Sequence, residues 1–303
     1  MRLVFFGTPT AAVPALRALV DAGHDVAFVV TQPERRRGRG GALVPSPVHA
    51  AARELGLPVR GPTRAREVTD EVAESGADVG VVVAFGQLLP ATLLDATPCG
   101  FVNLHLSLLP RWRGAAPVER AILAGDTETG VSVMRLDAGL DTGPVYRTVR
   151  TSIGGDETAG ALTERLVGLG IPALLDVVAG LPTVEAQRQT GDPVYAEKLA
   201  VDEFHLDPSR PASELARLVR AGNPRPGAWM LVDQHRVKVL LAHPEPGVVS
   251  DPSGPIVVWP GAALLTATGP LVLDEVQVEG RRPMSGDAWL AGYRAKQLRL
   301  PVT

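Results

Sequence analysis

Gly100-Phe101-Val102-Asn103-Leu104-His105-Leu106-Ser107-Leu108-Leu109-Pro110 joins a buried-type apolar run to an amide, an imidazole and a proline stop. Phe101–His105 is a predicted strand, and in a strand residues two apart face the same side. Asn103 and His105 therefore share one space at the strand's end. An amide N–H beside a histidine can stabilise a developing oxyanion and move a proton, which points to acyl-group chemistry.

Working outward, strand and helix signals alternate. Leu3–Phe6, Val26–Val30, Val79–Phe85, Val131–Leu136 and Val145–Val149 are strand candidates. Thr10–Ala22, Val48–Leu55, Thr63–Ser75, Pro117–Ala124 and Glu157–Ala179 are helix candidates. This alternation predicts an α/β fold, a Rossmann-like, mainly parallel sheet with helices on both faces. After Leu181 the texture changes. Pro182–Leu206 has little periodicity and Pro211–Ala221 is one short helix. Ala228–Val232, Arg236–Leu241, Gly254–Trp259, Ala263–Thr266 and Leu271–Val278 are short strands broken by Pro and Gly, as in a small barrel. The expected division is residues 1–188 for a catalytic domain, 189–205 for a linker and 206–303 for an OB-like β-barrel domain.

The 303 residues are 45% apolar, enough for a large core, and the net charge of −3 leaves any polyanion partner to a local patch. With one cysteine, Cys99, an internal disulfide and a multi-thiolate metal site are excluded, and the expected location is cytoplasmic. No run nears the roughly 18 apolar residues of a membrane helix. Gly7-Thr8-Pro9-Thr10 after the first strand is neither a GxGxxG fingerprint nor a Walker A loop. Ligands of such sheets sit beyond the carboxyl ends of strands, where Asn103 and His105 fall.

Asn-x-His-x-Ser-Leu-Leu-Pro, followed by Arg111-Trp112-Arg113-Gly114-Ala115-Ala116-Pro117, resembles the signature of folate-dependent formyltransferases. Leu136-Asp137-Ala138-Gly139-Leu140-Asp141-Thr142-Gly143-Pro144 resembles that family's second signature, with its aspartate at Asp141. Phe5-Phe6-Gly7-Thr8-Pro9, Val30-Thr31-Gln32-Pro33-Glu34 and Asn223-Pro224-Arg225-Pro226-Gly227-Ala228 resemble the members that act on an aminoacyl-tRNA. The resemblance implies transfer of a formyl group from 10-formyltetrahydrofolate to the α-amino group of methionyl initiator tRNA, for translation initiation, by a monomeric enzyme that needs no metal. It implies Asn103, His105 and Asp141 as catalytic residues, with Asp137 the local rival of Asp141. Ser107, Leu108, Leu109 and Pro110 become the folate-facing loop, and Phe85, Gly86, Gln87 and Leu88 a second folate contact.

Glu34-Arg35-Arg36-Arg37-Gly38-Arg39-Gly40-Gly41 is glycine-rich and a poor helix former, so it is expected as a loop. By resemblance it enters the tRNA acceptor stem, with Arg35, Arg36, Arg37 and Arg39 as the tRNA-binding residues; arginine suits this through bidentate phosphate contacts and stacking. The chain departs from the pattern at Arg36, where relatives carry proline, and at Gly41-Ala42, where they carry lysines. In the last domain Lys198, Arg217, Arg220, Arg225, Arg236 and Lys238 are candidates for an RNA-facing surface or plain solubilising charges. The chemistry leaves two alternatives open: a formyltransferase with a small amine acceptor, or a hydrolase of 10-formyltetrahydrofolate.

Overall fold

The computed structural model describes residues 1–37, 42–232, 235–246, 256–258, 261–292 and 297–299. It divides into two compact units, Met1–Pro117 with Glu128–Ser152 and Thr163–Ala196, and Val118–Thr127 with Ile153–Leu162 and Glu197–Thr303.

In chain order the first part comprises β1 (Arg2–Gly7), α1 (Val13–Asp21), β2 (Asp25–Val30), β3 (Arg35–Arg37), β4 (Ala42–Val44), α2 (Pro47–Glu54), β5 (Val59–Arg60), α3 (Thr69–Glu74) and β6 (Val79–Val83). It continues with α4 (Ala91–Leu94), β7 (Phe101–His105), β8 (Arg113–Gly114), α5 (Pro117–Ala124), β9 (Glu128–Arg135), β10 (Val145–Ser152), α6 (Ala159–Gly180) and β11 (Tyr195–Ala196). The main sheet runs β10-β9-β7-β6-β1-β2-β5. β5, β2, β1, β6 and β7 are parallel, while β9 pairs antiparallel with β7 and β10 antiparallel with β9. The expected α/β class stands, with helices on both sides of the sheet.

The central strands are apolar runs because both faces are covered. All five residues of β6 and of β7 are buried. Phe6 anchors one face of the core, edge-on to Phe85 at 5.2 Å and to Phe101 at 5.4 Å between ring centres. Such T-shaped pairs set the electropositive ring edge against the π face.

Three local expectations change. Thr63–Ser75 is not one helix: a 3-10 turn at Ala65–Val68 precedes the short α3, and the Gln87 side chain accepts from the Ala65 N–H at 2.7 Å, a cap from far along the chain. The arginine segment is not an open loop at its arms, because Arg35–Arg37 pairs antiparallel with Ala42–Val44 as a short hairpin; Gly38, Arg39, Gly40 and Gly41 lie outside the described residues. The segment read as a linker carries β11, which pairs in parallel with β8.

The second part holds α7 (Ala212–Gly222), β12 (Ala228–Val232), β13 (His235–Pro244), β14 (Ile256–Val258), β15 (Ala263–Thr266), β16 (Gly269–Val278), β17 (Met284–Ser285), α8 (Gly286–Ala291) and β18 (Gln297–Arg299). Its antiparallel sheet runs β12-β13-β16-β15-β14-β18, with β17 on β16. The alternating burial of β12 and β15 fits a sheet with one face on a core. Of the expected strand Gly254–Trp259, only Ile256–Val258 lies among the described residues.

Candidate active site

β7 sets the first two groups. Asn103 pairs in register with Val82 on one side and Met134 on the other, and His105 lies opposite Ser132. Asn103 is 8% exposed and His105 6%. Fixed on one strand between two neighbours, the two side chains have little freedom to lose when a ligand arrives.

The chain beyond His105 folds back on it. His105 Nε2 donates to the Trp112 carbonyl at 2.9 Å; a carbonyl only accepts, so Nε2 carries the proton. Trp112 holds φ +62°, an unusual backbone state for a bulky residue, and this conformation accompanies the aim of its carbonyl. The turn is stapled from within. Ser107 Oγ donates to the Arg111 carbonyl at 2.6 Å, and Ser132 Oγ donates to the Ser107 carbonyl at 2.7 Å while accepting from the Leu109 N–H at 3.2 Å.

With Nε2 committed, Nδ1 is the nitrogen left to exchange a proton. It faces the Asp141 carboxylate, with Oδ2 3.6 Å away and the Asp141 side chain 12% exposed. That oxygen also accepts from the Gly114 N–H at 2.8 Å. Asp141 sits at φ +51°, a left-handed conformation that aspartate tolerates better than most residues. Asp137 differs: its carboxylate accepts from the Gly139 N–H at 3.0 Å and the Thr142 hydroxyl at 2.6 Å, so it closes the turn that presents Asp141. Gly114 allows close approach, since a Cβ there would lie 2.7 Å from the Ala196 carbonyl oxygen.

Beyond the carboxyl ends of β1, β2 and β6 lies a cavity of about 450 Å³, lined in part by Thr8, Gln32, Ser46, Thr63 and Gln87. β6 adjoins β7, so this cavity and His105 occupy the same edge of the sheet. A depression of about 570 Å³ sits at the opposite edge, beside Asp78, Gly100 and Arg135. Nearby, burial pushes the Cys99 thiol and the Tyr146 phenol up, which keeps both protonated and poorly nucleophilic. Ligand sites of open α/β sheets favour the carboxyl edge.

Of the residues expected at the folate, Phe85, Gly86 and Gln87 line the cavity at the carboxyl edge, and Ser107, Phe85 and Gln87 also make contacts within the protein. Ser107 is fully buried with its hydroxyl spent inside the turn. Phe85 is 2% exposed in the core, and its carbonyl accepts from the Thr8 hydroxyl at 3.0 Å and the Gln32 amide at 3.3 Å. Gln87 caps Ala65 and donates to the Thr63 carbonyl at 3.3 Å. Leu108, Leu109 and Pro110 are half-buried, Gly86 is exposed, and Leu88 is 76% exposed. Residue identity alone did not reveal the Trp112 carbonyl, the Gly114 N–H or Ser132. The first two lie in the Arg-Trp-Arg-Gly motif, whereas Ser132 becomes visible only through strand register.

Among the described residues no group of three or more His, Cys, Asp or Glu side chains could hold a metal ion, and no helix is long and apolar enough to cross a membrane.

Comparison with known proteins places the chain. The formyl transferase family model matches residues 1–178, and the model for the formyl transferase C-terminal domain matches residues 198–294. The methionyl-tRNA formyltransferase of Thermus thermophilus is 48% identical over 296 residues, covering 97% of this chain and 96% of that protein. The methionyl-tRNA formyltransferase of Cereibacter sphaeroides is 45% identical at the same coverage. Among solved structures, HypX from Aquifex aeolicus in complex with tetrahydrofolic acid superposes with a TM-score of 0.69 at 14% identity, over 100% of this chain and 51% of HypX, a likeness of fold. With family models matching both parts and relatives similar along nearly its whole length, the chain belongs to the formyl transferase family.

Proposed function

We propose that this protein transfers the formyl group of 10-formyltetrahydrofolate to the α-amino group of methionyl initiator tRNA. The buried His105 facing Asp141 and beside Asn103, at the carboxyl edge of the sheet, carries the mechanism. The full-length similarity to methionyl-tRNA formyltransferases supports the choice of acceptor. The enzyme works as a cytoplasmic monomer.

The α-amino group of an aminoacyl ester attacks as the free base, and α-amino groups titrate near ~7.7–8.0, so part of the population is ready at neutral pH. Attack forms the new N–C bond and places negative charge on the former formyl oxygen. The Asn103 side-chain N–H and the His105 ring, as donors, stabilise that oxygen; one such donor is worth about 3–4 kcal/mol. Collapse breaks the bond from the formyl carbon to N10. The amine nitrogen loses one proton and N10 gains one, so the step balances. Asp141 accepts the first proton, directly or through a water, and returns it by the same route to N10 as the C–N10 bond breaks.

Leu108, Leu109 and Pro110 form an apolar wall for the flat pterin, and the exposed backbone at Gly86 and Leu88 lies along its edge. The hairpin that bears Arg35, Arg36 and Arg37, together with Arg39, contacts the acceptor arm of the tRNA, which reconciles RNA binding with a net charge of −3. The C-terminal antiparallel domain supplies further RNA contact.

The test incubates the protein with 10-formyltetrahydrofolate and either methionyl initiator tRNA or methionyl elongator tRNA. Formylation confined to the initiator is the expected result. Release of formate without RNA would replace this reading with a hydrolase.

A further inference from the structure

The segment between α6 and β11 returns to the aspartate turn. Gln187 exchanges two backbone hydrogen bonds with Val145, at 2.8 and 2.9 Å, just past the turn. Two residues later Gln189 reaches into it. Its Nε2 donates to the Asp141 carbonyl and to the Gly143 carbonyl, both at 2.8 Å. Its Oε1 accepts from Arg113 Nε at 3.0 Å and Nη2 at 2.7 Å. The guanidinium can only donate, so it fixes which way the amide faces and leaves both amide protons for the two carbonyls.

Arg113 immediately precedes Gly114, whose N–H holds the Asp141 carboxylate. One amide thus joins the backbone under Asp141 to the strand that grips its side chain. β11 reinforces the link: the Arg113 N–H donates to the Val194 carbonyl and the Ala115 N–H to the Ala196 carbonyl, each at 2.9 Å. Asp141 needs such restraint because its left-handed backbone is disfavoured for a residue with a Cβ.

We propose that Gln189 is a positioning residue for formyl transfer, holding Asp141 against His105 through the Asp141 and Gly143 carbonyls. The inference rests on the assignment of Asp141 to the reaction. Gln189→Glu keeps the length of the side chain and its contact with Arg113, but turns a carboxylate oxygen toward two carbonyls. Gln189→Ala removes both links. Misplacing a catalytic group by about 1 Å can cost about 100-fold. Both variants should therefore lower kcat by about 10- to 100-fold, leave KM for 10-formyltetrahydrofolate and for methionyl initiator tRNA within about threefold, and displace the pH profile of kcat.

The deciding comparison adds Asp141→Asn alone and Asp141→Asn combined with Gln189→Glu, with circular dichroism and Tm measured on each protein. The combined variant should be no slower than Asp141→Asn alone, because Gln189 acts through Asp141. Wild-type kcat in the Gln189 variants, independent multiplying losses, or variants that no longer fold would overturn the proposal. If Asp141→Asn itself transfers formyl at the wild-type rate, the assignment of Asp141 falls first, an outcome separate from failure of Gln189 alone.

Discussion

β7 and the aspartate turn supply the two halves of the proposed site by opposite means. β7 places Asn103 and His105 by regular pairing with strands on both sides, so their shared direction follows from strand periodicity. The turn around Asp141 has no ladder to hold it. Its direction comes from Gly114 and from Gln189, 27 and 48 residues away. Histidine at this site is a property of local sequence, whereas the aspartate is a property of tertiary structure. Perturbations confined to the turn should therefore damage catalysis with the sheet intact.

The largest effect that sharpens this contrast is expected from Asp141→Asn. Transfer should fall by about 100- to 10,000-fold, the range for loss of a positioned proton acceptor, with Tm nearly unchanged; single-turnover formylation measures it. Gly143→Ala should break the turn by another route, because an added Cβ would overlap the Arg135 carbonyl oxygen. A Tm drop together with lost activity, from a destabilisation of about 2–3 kcal/mol, is expected in thermal melts. Replacing Arg35, Arg36, Arg37 and Arg39 together should leave turnover of bound substrate unchanged while weakening tRNA binding. The slope of log affinity against log salt should flatten by up to about 3.6 if each of the four arginines neutralises one phosphate; an unchanged slope would return the hairpin to plain surface.

The smallest effect lies at Glu119, in the first turn of α5. The helix N-terminus favours its carboxylate, but burial outweighs that and raises its pKa. A carboxyl raised in the folded state costs nothing below its ordinary value of 4.5, and the cost grows as the pH rises through that value. Glu119→Gln should therefore raise Tm at pH 7, with the gain vanishing toward pH 4 in melts taken across that range.

Much of the frame was legible because short-range rules wrote it. Phe101–His105, Ala228–Val232 and Ala263–Thr266 are elements whose expected bounds agree with the structure to the residue, and the helix expected near Pro117–Ala124 is there. Thr63–Ser75 divides into a 3-10 turn and a short helix, and Gln87 caps the turn at Ala65, a contact that no local pattern announces. The rivalry of Asp137 with Asp141 could not be settled by spacing, since both sit in ordinary turn chemistry; hydrogen bonds assign Asp137 to the turn and leave Asp141 facing His105. Pro182–Leu206 read as a linker of little periodicity because its order comes from pairing with Arg113–Gly114 and Val145 rather than from any repeat of its own.

Single-turnover formyl transfer from 10-formyltetrahydrofolate to methionyl initiator tRNA by His105→Ala, beside the wild-type protein, tests the central claim most directly. The predicted result is a folded variant that still binds tRNA but transfers formyl at least about 100-fold more slowly. Transfer at the wild-type rate would show that the oxyanion is stabilised without this ring and would remove His105 from the reaction.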